Sequence, residues 1–152
     1  MKLPHALIFS GDEAVKLMVM DGQGGGIGVA IIKGLRLSVG NNLEIMALGT
    51  NAVATSRMMK AGANKGATGE NAIIRTCRMV DVIIGPLAIL MANSMMGELT
   101  PRMAFAVSSS EAQKILIPLT QEQVKIVGVS SEPLPHLIEQ VIKIIRGMNN
   151  HV

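Results

Sequence analysis

The chain contains no tryptophan, no tyrosine and only two phenylalanines in 152 residues. Without flat side chains there is little on which a nucleic-acid base can stack. Its lysines and arginines are scattered singly from Lys2 to Arg146, so the formal charge of +3 never gathers into a basic run. Nucleic acid is therefore not an expected partner. One cysteine, Cys77, excludes an internal disulfide and fits a reducing cytoplasm. The longest apolar stretch, Val82 to Ala92, is about half of the roughly 20 residues that a membrane span requires, and Gly85-Pro86 interrupts it. No small-residue cleavage site follows the apolar patch of Met1 to Phe9 before Asp12 and Glu13, so no secretory signal is expected. Charged residues are only 16% and hydrophobic residues 49%, a composition that buries a sizeable core and excludes disorder.

What the chain has in abundance is glycine at one place. Residues 15–28 read VKLMVMDGQGGGIG: an apolar run, an aspartate at its end, then five glycines within seven positions before a helical pattern begins. Glycines remove the Cβ atoms that hold a ligand away from the main chain. A helix starting near Gly25 or Gly26 would direct its free N–H groups and positive dipole end at the loop, which suits phosphate. Gly22-Gln23-Gly24 opens a GxGxxG dinucleotide fingerprint, but Ile27 stands at its sixth position. The spacing that fits is GxxxGIG over Gly22, Gly26, Ile27 and Gly28, which resembles the glycine motif of short-chain dehydrogenases. The tyrosine on which that family's catalysis rests is absent here.

The remaining punctuation alternates strand and helix signals. Strands are expected at 15–20, 43–48, 63–67 and 81–85, with helices at 26–38, from about 52 to 61, and from 70 to about 79. An apolar segment 87–96 reads as helical, and Thr100-Pro101 places a cap and a first-turn proline at the head of another helix. Segments 114–119 and 124–129 read as two further strands. Only Thr120 to Gln123 separate them, too few residues for a parallel crossover, so they are expected as an antiparallel hairpin. Leu134, Leu137, Ile138, Val141, Ile142 and Ile145 form the stripe of a closing helix ending at Gly147. The expected architecture is one Rossmann-like, doubly wound α/β domain over 15–152, mostly parallel with an antiparallel edge strand, preceded by an extension of residues 1–14.

Ligands in such sheets sit beyond the carboxyl ends of the strands. The expected binding residues are therefore Gly22, Gln23, Gly24, Gly25, Gly26, Ile27 and Gly28, with Thr50, Asn51 and Asn71 as further walls. The end of the second strand carries Gly49-Thr50-Asn51 where an NAD site usually places an acid, which weakens NAD. Thr50 or Asn51 can still take a ribose hydroxyl, and Arg57 can reach the 2′-phosphate of NADP. Asp21 either braces the loop by an Asx-type hydrogen bond or meets ligand. Asp21 and Glu70 are the catalytic candidates if the chain is an enzyme; Glu98 is a further acid-base group. His5, His136 and His151 lie away from this edge, no two at metal-ligand spacing, so no metal is expected. The 12 methionines, Met91, Met95, Met96 and Met103 among them, provide a flexible apolar surface that suits a homodimer.

The blocks DGQGGGIG (21–28), ALGTNA (47–52), AGANKGATGENAI (61–73), DVIIGP (81–86), ANSMMGELTP (92–101) and KILIPL (114–119) resemble a family of small bacterial proteins of unknown function. The resemblance implies a cytoplasmic Rossmann-like domain and supplies no reaction. The expectation from sequence is thus a protein that binds a small phosphorylated ligand, a nucleotide or dinucleotide. An enzyme acting on a phosphorylated metabolite and a non-catalytic regulatory or scaffold subunit are the alternatives.

Overall fold

A computed structural model describes residues 15–119 and 122–149. The extension 1–14 with His5, and His151, lie outside them. The central strand β1 (Lys16–Asp21) shows why this chain makes layers. Leu17 and Val19 point into one apolar cluster and Met18 and Met20 into the other, so the strand is buried on both faces and reads as a continuous apolar run. Beside it lie β2 (Glu44–Gly49) and β3 (Lys65–Thr68) on one side, β4 (Val82–Pro86) and β5 (Gln113–Ile117) on the other. The order is β3-β2-β1-β4-β5, with all pairings parallel. Leu17 is in register with both Ile45 and Val82.

Helices α1 (Gly26–Ser38), α2 (Ala52–Ala61) and α5 (Leu134–Asn149) cover one face; α3 (Glu70–Thr76) and α4 (Pro101–Ser109) cover the other. The predicted stripe of α5 is realised, with Leu137, Ile138, Val141, Ile142 and Ile145 all buried. Each such side chain contributes roughly 1.5–3 kcal/mol of transfer free energy. Gly34 lets α5 approach α1, since a Cβ there would lie 2.6 Å from Ile138. Thr100 caps α4 as its sequence foretells, accepting the Met103 N–H at 3.1 Å.

Three expectations are corrected. Among the described residues there is no antiparallel edge strand: β5 is itself the edge and runs parallel to β4, and residues 122–133 form no strand. Val124, Ile126, Val127 and Val129 are exposed, so their apolar character reflects no sheet neighbour. Segment 87–96 is not one helix but a 3-10 turn (Leu87–Leu90), a hydrogen-bonded turn closed by the Ser94 N–H on the Met91 carbonyl at 3.1 Å, and a second short 3-10 turn (Met95–Gly97). Asn93, Met95 and Met96 take φ values of 66°, 57° and 56°, which no α-helix accommodates. Closing helix α5 also continues past Gly147 to Asn149.

Among the described residues no helix is long and apolar enough to cross a membrane. The strand order reverses between β1 and β4, and the connections there leave to opposite faces of the sheet. Their divergence opens a crevice at the carboxyl ends, where Gly22 to Gly25 and the β4–α4 segment meet.

Candidate functional site

The glycine loop is built around the Asp21 carboxylate. Its two oxygens accept the N–H of Gly22 and the N–H of Gly28, each at 2.8 Å, tying the end of β1 to the first turn of α1. Burial pushes the Asp21 carboxyl above its ordinary value; the N–H groups of Gly28, Gly22 and Ile27 pull it back, and the charge of Glu98 adds to the rise. The aspartate thus takes the bracing role, and it satisfies N–H groups that a helix would otherwise offer to an anion. Gly25 sits at φ 73° as the residue before α1 and closes a turn on the Gly22 carbonyl at 2.9 Å. Gly28 admits the close packing of α1, since a Cβ there would lie 2.5 Å from Met58 Sδ and 3.1 Å from Asp21 Cβ.

Between these fixed points the loop faces solvent. Gln23, Gly24 and Gly26 are exposed, and a Cβ built on Gly26 meets nothing within 4 Å. Arg57, one turn and more into α2, donates from its guanidinium to the Gly24 carbonyl. Its positive charge therefore lies on the exposed part of the loop.

Thr50 and Asn51 meet the loop through a residue from another part of the chain. Glu98 Oε1 accepts the Gln23 N–H at 2.9 Å, the Thr50 hydroxyl at 2.7 Å and the Asn51 amide at 2.8 Å. Partial burial opposes its charge, but the Gln23 N–H, the Thr50 hydroxyl and the Asn51 amide outweigh that and hold the Glu98 carboxyl below its ordinary value. Asn51 also donates to the Gln23 carbonyl at 2.9 Å and caps α2 through the Ala54 N–H. The acid missing after β2 in the sequence is thus present in space, delivered by the β4–α4 segment.

Other sequence candidates are placed elsewhere. Glu70 accepts the Thr100 hydroxyl at 2.6 Å and faces Arg102 at 4.0 Å, joining α3 to α4 rather than to the loop. Asn71 is exposed on the first turn of α3, behind β3 and two strands from β1. Lys65 pairs with Glu44 at 3.4 Å and His136 is exposed on α5. Cys77 is buried against Met18, its thiol pushed up to about 11 by burial against the opposing pull of Lys114. A groove of about 840 Å³ runs between α3 and α4, walled by Ile74, Arg78, Arg102 and Phe105. It opens at the amino ends of β4 and β5, near Asp81 and Glu111, away from the crevice.

Residues 16–150 match the family described as Domain of unknown function (DUF3842). The chain belongs to that family. The match agrees with the resemblance drawn from the sequence as far as an uncharacterised family goes. Comparison with curated proteins finds no match. Among solved structures, a universal stress protein in complex with cAMP is 15% identical, with 68% of this chain and 98% of that chain covered and a TM-score of 0.40. A dodecameric FMN-dependent Ubix-like decarboxylase from Escherichia coli O157:H7 is 19% identical, with coverage of 88% and 76% and a TM-score of 0.44.

In this family member the group that sequence reasoning placed least well is Glu98. Its signal was Glu-Leu-Thr-Pro: the Thr100-Pro101 helix start fixes the carboxyl-end side of the sheet, so a glutamate two residues earlier is carried to the crevice. Its partners, 75 residues away at Gln23 and 47 away at Asn51, leave no local trace.

Proposed function

We propose that this protein binds a nucleotide or dinucleotide at the crevice between β1 and β4. A phosphate lies over Gly24 to Gly26, and the polar remainder of the ligand faces Thr50 and Asn51. The observation that carries this is the Arg57 guanidinium resting on Gly24 beside the open face of Gly26. A cation and exposed glycine backbone converge there, ahead of a helix whose Gly28 N–H Asp21 already holds, so the arginine and the loop backbone supply the chemistry that holds phosphate. Asp21 keeps the loop in shape from below, and NADP is favoured over NAD by the same arginine. The assignment extends to a cytoplasmic homodimer, supported by the lone cysteine and by exposed Phe105, Met79 and Met96.

Thermal unfolding with ATP, ADP, NAD and NADP tests it. A ligand at a hundred times its Kd stabilises the fold by roughly 2.7 kcal/mol, a clear rise in Tm. A Cβ at Gly26 meets nothing within 4 Å, so Gly26→Val is expected to fold normally, to crowd the proposed phosphate position and to lose the rise. A complete set of probes that leaves the wild-type Tm unmoved refutes nucleotide binding.

A further inference from the structure

Three donors converging on one oxygen make an oxyanion cradle, and here the protein fills it with its own carboxylate. The Gln23 N–H, the Thr50 hydroxyl and the Asn51 amide all point at Glu98 Oε1. A phosphate oxygen asks for the same donors at the same distances. Met95 occupies the adjoining space, since a Cβ on Gly22 would lie 2.5 Å from its sulfur. Both occupants, Met95 and Glu98, come from the tip of the β4–α4 segment.

That tip is held in a conformation that two of its residues, Met95 and Met96, disfavour. Asn93, Met95 and Met96 all have positive φ, as does Gly97 at 91°. Side chains other than glycine persist there only where surrounding contacts over-determine the backbone. The contacts that do so are those of the Glu98 carboxylate, the burial of Met95 in the α3–α4 cluster, the Met95 N–H bonded to the Glu122 carboxylate at 2.8 Å, and the tip's own bonds from the Gly97 N–H to the Asn93 carbonyl and from the Glu98 N–H to the Met95 carbonyl, each at 3.2 Å. The base of the segment is anchored independently. Asn93 N–H reaches the Leu99 carbonyl at 2.7 Å, Leu99 N–H reaches the Ser94 carbonyl at 3.2 Å, and the buried Ser94 hydroxyl donates to the Ala88 carbonyl at 2.7 Å.

Charge points the same way. With Glu98 in place, a phosphate on the loop meets two carboxylates, Glu98 and the buried Asp21. With Glu98 withdrawn, it meets three vacated donors and Arg57.

We propose that Glu98 is a built-in occupant of an oxyanion subsite: the 95–98 tip latches the crevice shut, and a phosphate of the ligand takes the place of the Glu98 oxygen as the tip opens. The latch rests on the nucleotide reading of the same site and adds its regulation. Closure lowers apparent affinity by the fraction of molecules held shut, so removing the latch tightens binding.

The test uses the full chain as wild type, Glu98→Ala and Glu98→Gln, titrated calorimetrically with ATP and with inorganic pyrophosphate. Glu98→Ala is expected to bind both about tenfold tighter, with Glu98→Gln between it and wild type. Binding that is unchanged or weaker in Glu98→Ala overturns the proposal; weaker binding of ATP alone makes Glu98 a contact to the ribose. If no protein binds either probe, nucleotide binding itself fails and takes the phosphate exchange with it. Hydrogen exchange on the ligand-free proteins then judges the latch alone. Amides 95–98 and Gln23 are expected to exchange about tenfold faster in Glu98→Ala with α1 unchanged, and equal rates in the two proteins remove the latch.

Discussion

Two loops meet at the crevice, and they obtain their shape by opposite means. The loop after β1 places glycine where the backbone turns left-handed, at Gly25, and where helices crowd, at Gly28, with Gln23 at φ 48° as its one side chain in that region. The segment after β4 places Asn93, Met95 and Met96 in that left-handed region and holds them by contacts from elsewhere. The first conformation is written largely into residue choice, with only Gln23 held from elsewhere, by Glu98 and Asn51. The second is imposed and depends on its neighbours. Each loop also carries one carboxylate pinned by hydrogen-bond donors, Asp21 buried and Glu98 at the rim, so the pair can be set against each other residue by residue.

The largest expected effect breaks the first loop. Gly28→Val drives a side chain into Met58 and the Asp21 Cβ, and is expected to cost about 3 kcal/mol by overpacking. Equilibrium urea unfolding checks it; a loss below about 1 kcal/mol would mean that α1 shifts freely and the loop is not rigid.

Asp21→Asn comes next. One of the two N–H groups now served by carboxylate oxygens then faces an amide NH2, and leaving a buried donor unpaired costs about 2 kcal/mol. The same unfolding measurement at neutral pH applies, and a neutral substitution would remove Asp21 as the brace.

The pH dependence separates the two carboxylates by sign. Native Asp21 holds its proton more tightly than the ordinary 3.8, so its effect is to lower stability as pH rises from 3.8 through its raised native value. Native Glu98 holds its proton less tightly than the ordinary 4.5, so its contribution is complete above 4.5 and is lost as pH falls through its lowered native value. Glu98→Gln should therefore lose stability against wild type increasingly up to pH 4.5 and by a constant amount above it. Urea midpoints across that range show this directly, and a difference that ignores pH would mean that the charged form of Glu98 is not the one the donors hold.

The smallest effect sharpens the second loop. Met96 is 97% exposed at φ 56°, so Met96→Gly removes strain and loses no packing. Added freedom in the unfolded chain offsets part of the gain, leaving a stabilisation under about 1 kcal/mol. Thermal unfolding that shows a loss would place the exposed methionine in an unrecognised contact.

The contrast between the loops also explains what the sequence made legible. The bounds of α1, Gly26 to Ser38, and the Thr100 cap are visible because glycine, threonine and proline act on their own backbone. So is the α5 stripe, whose period belongs to the helix. The strand expected at 124–129 fails because apolar residues in a row say nothing of whether a neighbour exists to pair with them. Segment 87–96 fails because two of its three left-handed residues are methionines, which announce no turn, while Asn93-Ser94 alone signals a break. Within the site, the glycines and Asp21 were read from spacing, and Thr50 and Asn51 from strand ends. The meeting of these with Glu98 arises only when β4 lies beside β1, a fact of topology rather than of local pattern.

The burial of Cys77 has a practical use. As the chain's one thiol, 2% exposed at the floor of the α3–α4 groove with its ionisation suppressed, it reacts slowly with alkylating reagents while that layer is shut. Its modification rate therefore counts openings of the α3–α4 layer, one event per molecule and without a foreign label. The native chain carries its own clock for motion on the face of the sheet opposite α1 and α5.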